Sequence, residues 1–149
     1  MEEIKPTEVK EYRIHPKHRK ILADTLTPVS VYLKLRDQFP GTVLLESSDY
    51  QSRENSYSYI GCSPVASFEV KGNSVSETYP DQSKSQTMLG DRPLTRAMTD
   101  FIDRFDVPDS PHKFIQTAFL GYIAYDCVKH FDRLDFREKP APADIPDAS

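Results

Sequence analysis

Two stretches of the chain carry apolar residues at the spacing of an amphipathic α-helix. The first begins with Thr27, whose hydroxyl can accept a hydrogen bond at the N-cap, and Pro28, whose fixed φ suits the first helical position. A Pro-Gly pair at 40–41 predicts its end. Its apolar positions are Val31, Tyr32, Leu35 and Phe39. Asp91 and Pro93 predict the start of the second helix. Its apolar stripe consists of Leu94, Ala97, Met98, Phe101, Ile102 and Phe105.

Shorter apolar or alternating segments predict β-strands. The apolar run at 42–45 predicts a buried strand, and the alternation of small polar and bulky residues at 56–60 has the period of a strand. Gly72 and Asn73 separate two further segments and can supply the positive φ angles of a tight hairpin turn. The predicted strands cover residues 42–45, 56–60, 66–70, 74–79 and 119–125.

The connections between these elements indicate the fold class. Residues 80–92 are polar and predict a loop, and Gly121 permits close backbone approach within the strand predicted at 119–125. Asp126 is predicted to cap a short helix that runs through Phe131. Because the strands cluster and do not alternate regularly with helices, we predict an α+β fold with antiparallel sheets and packed helices.

Composition and charge narrow the possible partners. The chain has 149 residues, a net charge of −4 and an isoelectric point near 5.5, which disfavours nucleic acid as a partner. Its longest apolar run, residues 118–125, is too short to span a bilayer, and no secretory leader is recognisable. Cys62 and Cys127 are too few for a disulfide framework. We therefore expect a cytoplasmic protein with buried, reduced thiols, which contacts neither nucleic acid nor a membrane.

The residues taken alone indicate no reaction centre. The chain contains no GxSxG, Walker A, GxGxxG, HExxH or CxxC motif. Glu46, Ser47 and Ser48 follow the apolar run at 42–45, where they could bind a ligand ammonium while apolar side chains contact the rest of the ligand. An ordinary polar turn after the strand explains the same residues, and the residue pattern alone favours that explanation.

Four segments in order nevertheless resemble one family. They are residues 24–32, residues 44–47 together with 55–61, residues 119–131, and residues 145–148. The second includes Leu44-Leu45-Glu46-Ser47, and the third contains a Gly-Tyr-x-x-Tyr-Asp pattern. Together they resemble the N-terminal region of anthranilate synthase component I, in the chorismate-utilising family. We therefore divide the chain into a polar N-terminal segment, residues 1–23, and the region of resemblance, residues 24–149, which we expect to be a fragment of that enzyme component.

The resemblance implies a fold and a set of binding residues. The family has a β-sandwich-like fold assembled from both halves of its chain, and this sequence would form its N-terminal part. In the family, Leu-Glu-Ser belongs to the tryptophan pocket that serves feedback inhibition, so Leu45, Glu46 and Ser47 are implied to line that pocket, with Tyr57 lining or flanking it. No catalytic residue and no metal ligand is implied within this chain, because the family's Mg²⁺ and catalytic groups lie in the C-terminal half.

The resemblance also implies an activity and partners. The complete enzyme would be a lyase that converts chorismate to anthranilate and pyruvate in tryptophan biosynthesis. L-Tryptophan would inhibit it, and a glutamine amidotransferase subunit would supply ammonia. Three alternatives stay open: the N-terminal region of aminodeoxychorismate synthase component I, a non-catalytic amino-acid-binding module, and a docking domain for the amidotransferase. The fragment alone would be catalytically inactive.

Overall fold

The computed structural model describes residues 11–46, 57–108, 118–131 and 146–149. Within these ranges, two α-helices and seven strands alternate irregularly along the chain, and a 3₁₀ helix follows them. The elements in chain order are β1 Tyr12–Arg13, α1 Pro28–Arg36, β2 Val43–Glu46, β3 Ser58–Gly61, β4 Ser67–Lys71, β5 Ser74–Thr78, β6 Lys84–Met88, α2 Leu94–Ile102, β7 Phe105–Asp106 and the 3₁₀ helix Tyr125–His130. This content, with antiparallel pairing in the two larger sheets, confirms the predicted α+β class.

Helix α1 begins where the sequence predicts. The Thr27 side chain accepts a hydrogen bond from the Ser30 backbone N–H at 3.1 Å, and the Ser30 side chain accepts one from the Thr27 N–H. This reciprocal capping box satisfies two N–H groups that a helix start leaves without partners. The helix ends at Arg36, before the predicted Phe39, and none of its nine residues is buried. The apolar side chains of α1 therefore lie at the surface of the protein and do not form part of a hydrophobic core.

The strands β4, β5 and β6 form a three-stranded antiparallel sheet. Gly72 and Asn73 form the two-residue turn between β4 and β5, as predicted, but Gly72 alone has a positive φ, at 58°. A positive φ at the first central position is the mark of a type II′ turn. The prediction that both residues supply positive φ angles is therefore wrong for Asn73.

Strand β6 lies within residues 80–92, which the sequence predicts as a loop. Gln82 takes a positive φ of 66° at the turn before it, and the strand then pairs along its length with β5. Most β6 side chains are exposed, and polar residues dominate it. The prediction fails because an edge strand needs little apolar surface, so it lacks the alternation that marks a half-buried strand.

Helix α2 packs its apolar stripe against the three-stranded sheet. Leu94, Ala97 and Phe101 are buried, whereas Ile102 is exposed. The stripe ends there, because the predicted last member, Phe105, lies in β7 and pairs in parallel with β1. The helix begins after Pro93 at the N-cap, without a side-chain cap. The buried hydrophobic residues of the described chain are Val70, Val75, Tyr79, Leu89, Leu94, Ala97, Phe101, Cys127 and Ala148.

Residues 118–131 differ most from the prediction. The buried strand predicted at 119–125 is wrong, because Phe119, Tyr122 and Ile123 are exposed and pairing there is limited to an isolated bridge from Ile123 to Ala148. The 3₁₀ helix starts after Ala124 at the N-cap, so Asp126 lies inside it and does not cap it. The apolar residues at 118–125 therefore belong to a segment that packs over other parts of the fold, and they do not form the interior of a sheet.

The segment 146–149 joins two parts of the fold. Ala148 is buried, and its carbonyl accepts a hydrogen bond from the Val70 N–H of β4 at 2.9 Å. On its other side, Tyr122 and Ser149 exchange backbone hydrogen bonds of 2.8 and 3.1 Å. A Cβ atom at Gly121 would collide with the Ser149 carbonyl, which confirms the predicted need for a glycine at a close backbone approach.

Two further predictions concern the cysteines and the bilayer. Cys127 is buried and Cys62 is exposed, so the prediction of two buried thiols is wrong for Cys62. Among the helices that the structure describes, none combines the length and apolar character needed to cross a membrane.

Candidate functional site

Strands β2 and β3 form a two-stranded antiparallel ribbon that carries most of the predicted binding residues. Leu45 pairs with Tyr59, and Glu46 pairs with Ser58. Tyr57 immediately precedes β3, so it lies at the same end of the ribbon as Glu46. We call this end, with its five residues, the binding end of the ribbon. Ser47, which the resemblance places in the same site, lies outside the described residues.

The pairing register assigns these side chains to the two faces of the ribbon. Directly opposed residues share a face, and successive residues alternate between faces. Leu45 and Tyr59 therefore project from one face, and Glu46 and Ser58 from the other. The Ser58 hydroxyl lies 3.4 Å from Glu46 Oε1 and donates to it. The predicted neighbours Leu45 and Glu46 consequently cannot contact a ligand from the same face of the ribbon.

The apolar and aromatic side chains at the binding end of the ribbon are exposed to solvent. Leu45 is 43% exposed, Tyr57 42% and Tyr59 37%. A strand does form here, but the prediction that residues 42–45 are buried is wrong, because Val43 and Leu44 are only half-buried and Leu45 is exposed. Apolar side chains next to an accessible carboxylate can bind a ligand that has both an apolar part and a cationic group.

Sequence reasoning missed two residues of the binding end. Ser58 and Tyr59 belong to the alternating segment that predicts a strand, but their partners across the ribbon follow only from the register. A one-residue change of register would exchange which side chains share a face. The apolar–polar pattern of two short strands does not determine that register, and so the Glu46–Ser58 contact was not predictable.

The structure also contains a buried polar pair at a distance in sequence from the ribbon. The Tyr79 hydroxyl donates a hydrogen bond of 2.5 Å to Glu77 Oε2, and both residues are buried. Burial raises the pKa of Tyr79 above its usual value, and the hydrogen bond and the charge of Glu77 raise it further. The Arg104 guanidinium lies 4.9 Å from the centre of the Tyr79 ring and acts in the opposite direction. Tyr12 stacks on the same ring.

The described residues offer no cluster suited to a metal ion. Across residues 11–46, 57–108, 118–131 and 146–149, no three His, Cys, Asp or Glu side chains converge on one point. The location of a Mg²⁺ site outside this chain stays a prediction.

Comparison with known proteins identifies the relatives of the chain. It is 34% identical over 128 residues to anthranilate synthase component 1 of Mycolicibacterium smegmatis, an alignment that covers 83% of this chain and 23% of the relative. The chain resembles anthranilate synthase component 1. The Pseudomonas putida component 1 is 36% identical over 128 residues, covering 85% of this chain and 25% of the relative. That of Thermus thermophilus is 32% identical over 139 residues, covering 91% and 27%.

The resemblance to anthranilate synthase component 1 predicted from the four segments is thus confirmed. The chain spans about a quarter of the length of these curated relatives, which is consistent with an N-terminal region. No family model and no solved structure matches the chain. The division at residue 24 and the β-sandwich-like family fold stay predictions.

Proposed function

We propose that this chain is the N-terminal regulatory, tryptophan-binding region of an anthranilate synthase component I. The observation that carries the proposal is the similarity to anthranilate synthase component 1 over more than four-fifths of the chain. The complete protein then converts chorismate to anthranilate and pyruvate, and the ammonia comes from a glutamine amidotransferase subunit.

The binding end of the ribbon suits the chemistry of a free aromatic amino acid. The Glu46 carboxylate can accept charge-assisted hydrogen bonds from the effector's ammonium, which are stronger than bonds between neutral groups. The exposed faces of Leu45 and Tyr57 can contact its indole ring. Because Leu45 and Glu46 project from opposite faces, we place the effector across the end of the ribbon, where the chain passes from Glu46 to Ser47.

We propose that catalysis resides outside residues 1–149. The Mg²⁺ ligands and acid–base groups of the reaction then belong to the remainder of the component, and this chain alone has no activity. The remainder also completes the tryptophan pocket, so the isolated chain should bind tryptophan weakly or not detectably. Calorimetry of the isolated chain tests this, because micromolar affinity would contradict the need for the remainder and would favour a free-standing amino-acid-binding module.

The identity of the product separates the two enzymes of the family. The complete component, supplied with chorismate, Mg²⁺ and ammonium, is expected to form anthranilate. Formation of aminodeoxychorismate would assign the chain to aminodeoxychorismate synthase component I. Co-purification with the amidotransferase subunit tests the proposed partner: capture by the complete component but not by this chain would argue against a docking domain.

A further inference from the structure

At the end of the ribbon opposite the binding end, the Leu120 side chain, from a distant part of the sequence, lies against Gly61. Gly61, the last residue of β3, pairs with Val43 of β2. A Cβ atom at Gly61 would lie 2.7 Å from Leu120 Cδ1 and 3.4 Å from Val43 Cγ2. Leu120 therefore packs directly on the Gly61 backbone, on the face of the ribbon that Val43 also occupies. That is the face from which Leu45 and Tyr59 project.

Leu120 is itself fixed relative to the three-stranded sheet. Two residues further on, Tyr122 exchanges backbone hydrogen bonds with Ser149, and the Ala124 N–H donates to the Asp147 carbonyl at 2.8 Å. The segment 146–149 is in turn paired with Val70 of β4, and Ala148 is part of the hydrophobic core. These backbone contacts hold the segment that carries Leu120 against the sheet.

The ribbon has little other buried surface that could fix its orientation. Each of the eight residues of β2 and β3 is half-buried or exposed. Helix α1 packs on both strands, but none of its residues is buried either. A ribbon with so little buried surface has low local stability, so a single well-placed apolar contact can decide its orientation.

We infer that Leu120 is a positioning residue for the effector site: its contact with Gly61 sets the orientation of the ribbon, and thereby the placement of Leu45 and Tyr59. This inference rests on the proposed function for its consequence in regulation, but the contact itself can be tested independently. Losing the contact leaves the binding residues intact and changes where they stand relative to the rest of the protein.

The first test is hydrogen exchange in the 149-residue chain. We expect Leu120→Ala to speed exchange of the β2 and β3 amides about three- to tenfold and to leave β4 and β5 amides unchanged, a range typical for the loss of one coupling contact. Gly61→Ala should have a similar effect, because the new methyl group displaces Leu120. In the double variant the new methyl group partly fills the vacated space, so the two effects should not add. Unchanged ribbon exchange, or strictly additive effects, would overturn the inference.

The second test measures regulation in the complete component I. We expect Leu120→Ala to raise the tryptophan concentration for half-inhibition about three- to tenfold, with kcat and KM for chorismate unchanged, and Leu120→Met to restore inhibition. Leu22→Ala, at a side chain that is 85% exposed, is the matched control without effect. If tryptophan inhibits the parent enzyme and Leu120→Ala equally, the inference fails. If the parent enzyme ignores tryptophan, the proposed function fails, and the exchange result still decides the role of Leu120.

Discussion

The buried Glu77–Tyr79 pair allows us to predict how the removal of a single oxygen atom changes the stability of the protein. Tyr79→Phe keeps the ring, its stacking on Tyr12 and its contact with Phe101, and removes the hydroxyl that donates to Glu77 Oε2 at 2.5 Å. Glu77 lies on the inner face of the sheet with 8% of its surface exposed, so water can replace the lost donor only in part. The variant therefore leaves a buried carboxylate without its phenol partner.

The size of the effect follows from the chemistry of the pair. A hydrogen bond to a charged group contributes about 1.5–3 kcal/mol to the free energy of unfolding, and a buried acceptor that loses its donor costs a similar amount. For a chain of 149 residues this corresponds to a decrease in Tm of roughly 4–10 °C. Urea unfolding followed by circular dichroism measures the free energy directly, and the slope should stay unchanged.

The same pair makes stability depend on alkaline pH. In the unfolded chain a tyrosine ionises near pH 10, whereas the pKa of Tyr79 is raised in the folded protein by burial and by Glu77. The stabilisation linked to Tyr79 is therefore complete below about pH 10 and is lost as the pH rises above it. Tyr79→Phe should remove this part of the decline in unfolding free energy above about pH 10.

A matched control makes the outcome decisive. Tyr125→Phe removes a hydroxyl from a side chain that is 85% exposed, and it should leave the free energy of unfolding unchanged. If Tyr79→Phe is as stable as Tyr125→Phe at neutral pH and retains the parent's alkaline decline, the Glu77–Tyr79 hydrogen bond does not stabilise the fold.

Three further predictions concern packing, capping and backbone approach, all measured by urea unfolding. Phe101→Ala should lower the free energy of unfolding by about 3–5 kcal/mol, because it opens a cavity between α2 and the sheet. Ile102→Ala, at an exposed neighbouring residue, should lower it far less. Equal losses would contradict the assigned core. Thr27→Ala should cost about 1 kcal/mol through loss of the α1 cap, and Thr27→Ser should retain stability. Gly121→Ala should destabilise by more than 1 kcal/mol, because its methyl group meets the Ser149 carbonyl; a neutral effect would exclude the close approach.

The local chemistry of particular residues explains which parts of the fold were predictable. Thr27 and Pro28 specify a helix start through bonds within one turn, and Gly72 specifies a hairpin through its own φ. Phe105 fits the helical spacing of α2, yet its backbone pairs with β1 at Tyr12–Arg13, a contact between residues far apart in sequence. Spacing describes which side chains can share a face, but it does not determine where a helix gives way to an extended strand.

In the candidate site, too, the sequence predicts some features, whereas others depend on tertiary contacts. Glu46 ends β2, as the polar residues after the apolar run suggest, and the resemblance implies a function for the motif to which it belongs. Glu46 lies opposite Ser58 because of the strand register. Leu120 supports the ribbon through a contact with Gly61, which is 59 residues away in sequence. Such contacts are decided by tertiary packing, which no single segment of sequence specifies.

The central claim is the proposal that the Leu-Glu-Ser motif, whose Leu45 and Glu46 end β2, binds tryptophan as a feedback inhibitor. The most direct measurement is anthranilate formation by the complete component I as L-tryptophan is increased, for the parent enzyme, Ser47→Ala and Ser48→Ala. We propose that the Ser47 hydroxyl makes one hydrogen bond to a charged group of tryptophan, whose loss costs about 1.5–3 kcal/mol. Tryptophan should then inhibit the parent and Ser48→Ala, and the inhibition constant of Ser47→Ala should be at least tenfold higher. Uninhibited turnover should be the same in all three proteins. Equal inhibition of all three proteins, or none in the parent, would contradict the claim.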